Sequence, residues 1–178
     1  GFLFAKKQSK GKILVETIFM LPLVLPPSVI GVLLIVVFGN QGVIGTWMKE
    51  IFGHSIIFTS YAAVIAATVV AFPLMFQTAK AGFQGVHRKF EEAAKDLGAT
   101  DFQVFLRISL PLAKRALLTG TILSCARALG EFGATLMFAG NIPGKTQTMP
   151  VAIYMAFESG KTELAWTWVG IMILMSIG

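Results

Sequence analysis

A chain of 178 residues that is 55% hydrophobic and only 13% charged, with a mean hydropathy of +0.75, lacks the balance of a soluble globular domain. Its net charge of +6 could suit a nucleic-acid surface, but the basic residues are gathered in intervals between apolar blocks, which argues against that class. The single cysteine, Cys125, excludes an intramolecular disulfide, and its place inside an apolar run predicts a small residue packed in a core or between helices.

In chain order, residues 1–5 (GFLFA) read as the tail of an earlier apolar helix, and no order of n-region, h-region and cleavage site marks a signal peptide. Apolar blocks follow at 13–38, 56–79, 117–138 and 164–178. Each of the first three exceeds the roughly 20 residues needed to cross a bilayer core of about 30 Å at a helical rise of about 1.5 Å per residue. The last block stops without a polar flank, so the expectation is one all-α, polytopic membrane domain over 1–178, cut at both ends. Pro22, Pro26 and Pro27 predict a kink or split in the first block, because proline removes a backbone donor and clashes with the preceding turn. Freed carbonyls inside a membrane must find partners in the protein or in water.

Charge sets the orientation. Lys6, Lys7, Lys10 and Lys12 precede the first full block, and Lys80, Arg88, Lys89, Lys95, Arg107, Lys114 and Arg115 lie between the second and third. The other two intervals, 39–55 and 139–163, carry only Lys49, Lys145 and Lys161. By the positive-inside rule the first two are cytoplasmic and the last two face outward, an alternation consistent along the whole chain. Trp47, Trp166 and Trp168 fall near the outer boundaries, where amphipathic rings anchor at headgroup level. His54 and His87 have no cysteine partners, so no metal site is expected from them.

The polar stretch 80–116 is too regular for a plain connection. Phe90, Ala93, Ala94 and Leu97 recur at helical spacing beside Glu91, Glu92, Lys95 and Asp96, predicting a short amphipathic helix ended by Gly98. Phe102, Phe105, Leu106 and Ile108 then share one face of a second piece, which Pro111 is expected to limit. Two short helices lying along the cytoplasmic surface are the result, and without a partner they would rest on lipid headgroups.

Within this stretch Glu92-Ala93-Ala94, Gly98, Ile108, Leu110 and Pro111 resemble, at every defined position, the EAA motif of ABC importer permeases. The resemblance implies that these residues couple the chain to a cytoplasmic ABC ATPase subunit, sitting in its cleft and passing its closure to the membrane helices. The small residues would allow close backbone approach there.

Residues 139–146 (AGNIPGKT) are one residue from the phosphate-binding pattern G-x-x-x-x-G-K-[ST]. Such a loop must follow a strand and open a helix, whereas this one follows an apolar helix on the outer face. Gly140, Pro143 and Gly144 therefore read as turn residues, and ATP and Mg are expected in a separate subunit rather than as cofactors of this chain. Arg127 and Glu131, four residues apart in the third block, are expected on one helical face, with Gly130 and Gly133 permitting close helix approach. A mid-bilayer ionisable group costs about 2.5–3.5 kcal/mol, so the set marks either a translocation pathway or gate element or an internal packing pair.

Residues 126–154 (ARALGEFGATLMFAGNIPGKTQTMPVAIY) and 21–31 (LPLVLPPSVIG) are similar to the molybdate permeases of ABC transporters. That resemblance implies a type I importer fold with six helices per subunit, a homodimer in the bacterial inner membrane, and an external oxyanion-binding protein. Blocks 56–79 and 117–138 would line the path between two copies. Sulfate/thiosulfate permeases share the GEFG core, residues 130–133, and remain the alternative. An ATP-independent channel, a secondary transporter or a membrane scaffold would need no docking segment.

Overall fold

The computed structural model describes residues 10–40, 42–53 and 55–177. The expectations for residues 1–5, Lys6, Lys7 and His54 lie outside the described residues. Within them the secondary structure is helical: α1 (Lys10–Val24), α2 (Pro27–Phe38), α3 (Val43–Phe52), α4 (Ser60–Gln84), α5 (Arg88–Asp96), α6 (Asp101–Val104), a π-helical turn (Phe105–Ser109), α7 (Leu110–Leu129), α8 (Gly133–Ala139), α9 (Met149–Glu158) and α10 (Thr162–Ile177).

Of these, α4, with 25 residues, is long and apolar enough to cross a membrane unaided; up to three spans result if each of two broken helix pairs is one crossing. The first apolar block is one such pair, split at Leu25–Pro26 between α1 and α2. Pro22 stays inside α1, so the break belongs to the Pro26-Pro27 pair. Each proline disfavours the helical region for the residue before it, while Pro27 suits the first helical position, where no N–H is required. The Pro26 carbonyl is satisfied by the N–H groups of Val29 and Ile30, at 2.9 and 3.2 Å. The third block is also not one continuous helix, being broken between α7 and α8. Two intervals expected as outer loops contain helices, α3 and α9, each of 10 residues.

The fold divides into two compact units. One comprises residues 22–70 and 126–178. Its core joins Ile30 and Leu34 of α2, Ala62, Ala66 and Val70 of α4, and Ala134 and Phe138 of α8. Alanines at 62 and 66 line one face of α4 and are fully buried, which lets neighbouring backbones come close. Gly31 marks the tightest approach of α2 to α8, since a Cβ there would stand 2.6 Å from Met137 Cβ and 3.2 Å from the backbone of Ala134. Gly31→Leu is therefore expected to destabilise the protein by about 1–3 kcal/mol through overpacking. A thermal denaturation midpoint equal to wild type in detergent would contradict that packing.

The other unit contains residues 10–21 and Ala71–Cys125. Phe19 of α1 meets Phe72 and Phe76 of α4 edge-on, with ring centroids 5.2 Å apart in each case. Glu16 of α1 pairs with Lys80 of α4 at 2.8 Å. Further along, Phe83 and Val86 pack on Ala113 of α7, joined by Phe105, Leu110 and Leu117. Cys125 is exposed, contrary to the packed role its apolar neighbours suggested, because its position on α7 lies outside that unit's core.

Candidate functional site

The segment following α4 is built by local signals. α5 begins after His87, whose ring lies edge-on to Phe90 at 6.4 Å, and it ends in a complete Schellman closure. Gly98 adopts φ +85°, its N–H donates to the Lys95 carbonyl at 2.8 Å, and the Ala99 N–H donates to the Ala94 carbonyl at 3.0 Å. Thr100 immediately opens the next helix through a reciprocal capping box: its hydroxyl accepts from the Gln103 N–H, and the Gln103 side chain accepts from the Thr100 N–H at 2.9 Å. Lys95 and Asp101 pair at 2.6 Å across this short link, but both are largely exposed, so the pair adds little stability.

Pro111 does not limit the second piece. Helical structure is continuous from Asp101 to Leu129, with the π turn at Phe105–Ser109 just before the proline. A proline inside a helix lacks the N–H for the carbonyl four residues back and crowds it; the wider π turn changes that pairing, and the chain passes Pro111 as the second residue of α7. Phe102, Phe105, Leu106 and Ile108 are accordingly not one buried face. Phe105 joins Phe83 with ring centroids at 6.0 Å and Ile108 is half-buried, whereas Phe102 and Leu106 are exposed.

The motif residues fall into two groups. Glu92, Ala93 and Gly98 are exposed on α5 and its cap, with Ala94 half-buried; Ile108 and Leu110 are half-buried and Pro111 exposed where α7 begins. Beside the first group stand Leu97, 90% exposed, and Phe102, 70% exposed, an apolar pair open to solvent at the α5–α6 link. A Cβ at Gly98 would meet nothing within 4 Å, so the surface is open there. Sequence reasoning singles out Glu92 and gives no role to its neighbour Glu91. Glu91 is 7% exposed and accepts a hydrogen bond at 2.5 Å from the hydroxyl of Ser109, which is 0% exposed.

The charged pair of the third block also assembles, though not on one helix. Arg127 lies in the last turn of α7, while Glu131 sits in the non-helical break before α8. Gly130 opens this break. Arg127 Nη1 reaches Glu131 Oε2 at 2.7 Å, and Glu131 Oε1 accepts the Ala134 N–H at 2.8 Å, capping α8. Glu131 is 2% exposed and forms part of the wall of a cavity of about 250 Å³ with Ala63, Ala67, Thr135, Met172 and Ser176. Gly133 is closely approached, a Cβ there standing 3.0 Å from Pro27 Cβ, whereas at Gly130 the contact given is the Ala126 carbonyl at 3.7 Å.

The phosphate-loop lookalike follows helix α8 rather than a strand. The N–H groups of Lys145, Thr146 and Gln147 all turn onto the Ile142 carbonyl, at 3.0, 2.9 and 3.2 Å, and the Thr146 hydroxyl accepts from the Ile142 N–H. The amides that would cradle a phosphate are thus spent on the protein's own turn. Ser60 at the start of α4 ties the loop down by donating to the Lys145 carbonyl at 2.7 Å.

Comparison with known proteins agrees with this architecture. YvgM of Bacillus subtilis (strain 168), a candidate molybdenum transport system permease protein, is 58% identical over 166 residues, covering 93% of this chain and 73% of that protein. The molybdenum transport system permease protein ModB of Escherichia coli (strain K12) is 46% identical over 149 residues, 84% of this chain and 65% of its own length. The sulfate transport system permease protein CysW of Synechococcus elongatus is 36% identical over 167 residues, 94% of this chain and 58% of its own. A family model for the binding-protein-dependent transport system inner membrane component matches residues 1–178. With an all-helical membrane architecture, an exposed polar segment between its long helices and a match across its whole length, the chain belongs to the family of binding-protein-dependent transport system inner membrane components.

Proposed function

We propose that this chain is the permease subunit of an ABC importer that moves molybdate, or the similarly sized tungstate, into the cytoplasm by alternating access. The observation that carries the coupling role is α5: a short helix ending in an exposed Gly98 cap, flanked by solvent-facing Leu97 and Phe102, and joined through α6 and the π turn to the long helix α7. An apolar pair this exposed beside a polar helix fits a protein partner's cleft. In this reading cytoplasmic ABC ATPase subunits receive Glu92, Ala93, Ala94 and Gly98, while Ile108, Leu110 and Pro111 join the docking element to α7. ATP and Mg bind in those subunits, and this chain has no nucleotide site. The basic residues of 80–116 support a cytoplasmic position for this segment in a multi-pass protein of the bacterial inner membrane.

Two copies form the translocation path, and Arg127, Gly130, Glu131 and Gly133 serve as its gate, at the break between α7 and α8. An external oxyanion-binding protein delivers the substrate to the outer face. Similarity to YvgM and ModB supports molybdate over sulfate, for which the relative CysW is less alike. The test is ATP hydrolysis by the reconstituted complex in the presence of binding protein loaded with molybdate, tungstate or sulfate. A several-fold stimulation by the first two is expected; stimulation by sulfate alone would replace the substrate assignment.

A further inference from the structure

We infer that the Glu91–Ser109 hydrogen bond is the positioning link through which force on α5 reaches α7. The inference rests on the reading of α5 as the docking element and concerns what happens behind that surface. Among the nine residues of α5, Glu91 is the one buried side chain. Its apolar neighbours give α5 no comparable hold, since Phe90 is exposed, Leu97 is almost wholly so, and Ala94 is half-buried. A helix this short is not stable by its own hydrogen bonds and takes its orientation from whatever it is fastened to.

Among the described residues, fastenings sit toward opposite ends of α5. At its C-terminal end the chain passes through the Gly98 closure and the Thr100 cap directly into α6. Near its N-terminal end, in the second half of the first turn, Glu91 is bonded to Ser109, the last residue of the π turn and the one immediately before α7. A pivot about the C-terminal link alone would let α5 swing when pushed. The second bond closes a rigid triangle of α5, the α6–π segment and the base of α7. A hydrogen bond suits this role because it is directional, where apolar contacts slide, and because burial makes losing one partner costly to the other. The base of α7 is packed tightly enough to carry the push onward: Ala113 is buried against Phe83 and Val86, and a Cβ at Gly82 would stand 2.5 Å from Ala116 Cβ.

The adjacent carboxylates thus divide the work. Glu92 faces outward on the docking surface, and Glu91 faces inward as a positioning residue. The experiment uses the complete transporter in proteoliposomes, with its ATPase and a binding protein loaded with whichever of molybdate or sulfate drives the wild-type complex. Membrane insertion, co-purification of the ATPase, ATP hydrolysis and uptake per ATP are read together. Ser109→Ala and Glu91→Ala are expected to insert and retain the ATPase as wild type does, while uptake per ATP falls tenfold or more. The double variant should be no worse than Glu91→Ala alone, because that variant already removes the bond to Ser109. Glu91→Gln keeps an acceptor oxygen for the Ser109 hydroxyl and should stay within twofold of wild type.

Wild-type uptake per ATP in Ser109→Ala would overturn the link, as would Glu91→Gln being as impaired as Glu91→Ala. Loss of insertion or of ATPase binding in step with uptake would overturn it too, by making the bond a folding contact. Failure of the docking reading looks different: there Gly98→Arg would leave both co-purification and uptake intact, whatever the Ser109 variants do.

Discussion

Replacing Gly98 with arginine is expected to abolish coupled transport, leaving less than a tenth of wild-type uptake, while membrane insertion is unchanged. Gly98 holds φ +85° at the closure of α5, a conformation that costs a residue with a side chain about 1–2 kcal/mol. That strain is too small to unfold a membrane protein whose cores lie elsewhere, in the α2–α4–α8 cluster and around Phe83 and Ala113. Among the described residues, no atom beyond its chain neighbours lies within 4 Å of the position a Cβ would take, so the added side chain meets open space there. What it obstructs is the exposed end of α5, where Leu97 is also open. Gly98→Ala isolates the backbone effect: it carries the same conformational cost with little bulk and should retain most uptake. Glu92→Ala removes an exposed charge without strain and should also impair coupling. Uptake and ATPase co-purification at wild-type levels in both Gly98→Arg and Glu92→Ala would remove the docking proposal.

The second large effect is expected at Glu131. Glu131→Ala strands the Arg127 guanidinium and leaves the Ala134 N–H without its acceptor, at a cost of about 3 kcal/mol for breaking such a pair. The Arg127 side chain keeps 30% exposure, which places the figure at the low end of the range for buried pairs. Substituting leucine at both positions strands no charge and should cost about 1 kcal/mol, mostly the lost cap. The order of stability in detergent is then wild type, double variant, Glu131→Ala. A double variant that assembles but fails to transport assigns the pair to the gate; one that fails to assemble assigns it to packing. A Glu131→Ala protein as stable as the double variant would mean that the two charges are not coupled.

Much of this is legible in the sequence because it depends on near neighbours in the chain. The 3.6-residue period of Phe90, Ala93, Ala94 and Leu97 places α5, and Gly98 marks its end, since a left-handed closure favours glycine. The Pro26-Pro27 pair locates a break that no distant interaction could remove. Pro111 misleads for the same local reason. Whether a proline ends a helix depends on the turn before it, and the π turn at Phe105–Ser109 has no simple signal in residue type. The 10-residue helices α3 and α9 escape notice because their apolar runs are short and lie between longer ones.

The sequence by itself determined the all-helical membrane class, the alternation of basic and neutral intervals, and the motif from Glu92 to Pro111. These follow from hydropathy, charge and spacing, each a property of the chain read along its length. Tertiary structure alone decided which of two neighbouring glutamates faces inward, because Glu91 and Glu92 are chemically alike and differ only in helical phase relative to Ser109. It likewise decided that Arg127 and Glu131 meet across a break instead of along a helix. The four-residue spacing that suggests a shared face fits both arrangements, and the packing of Gly133 against the start of α2, together with the cap that Glu131 supplies to α8, accompanies the break.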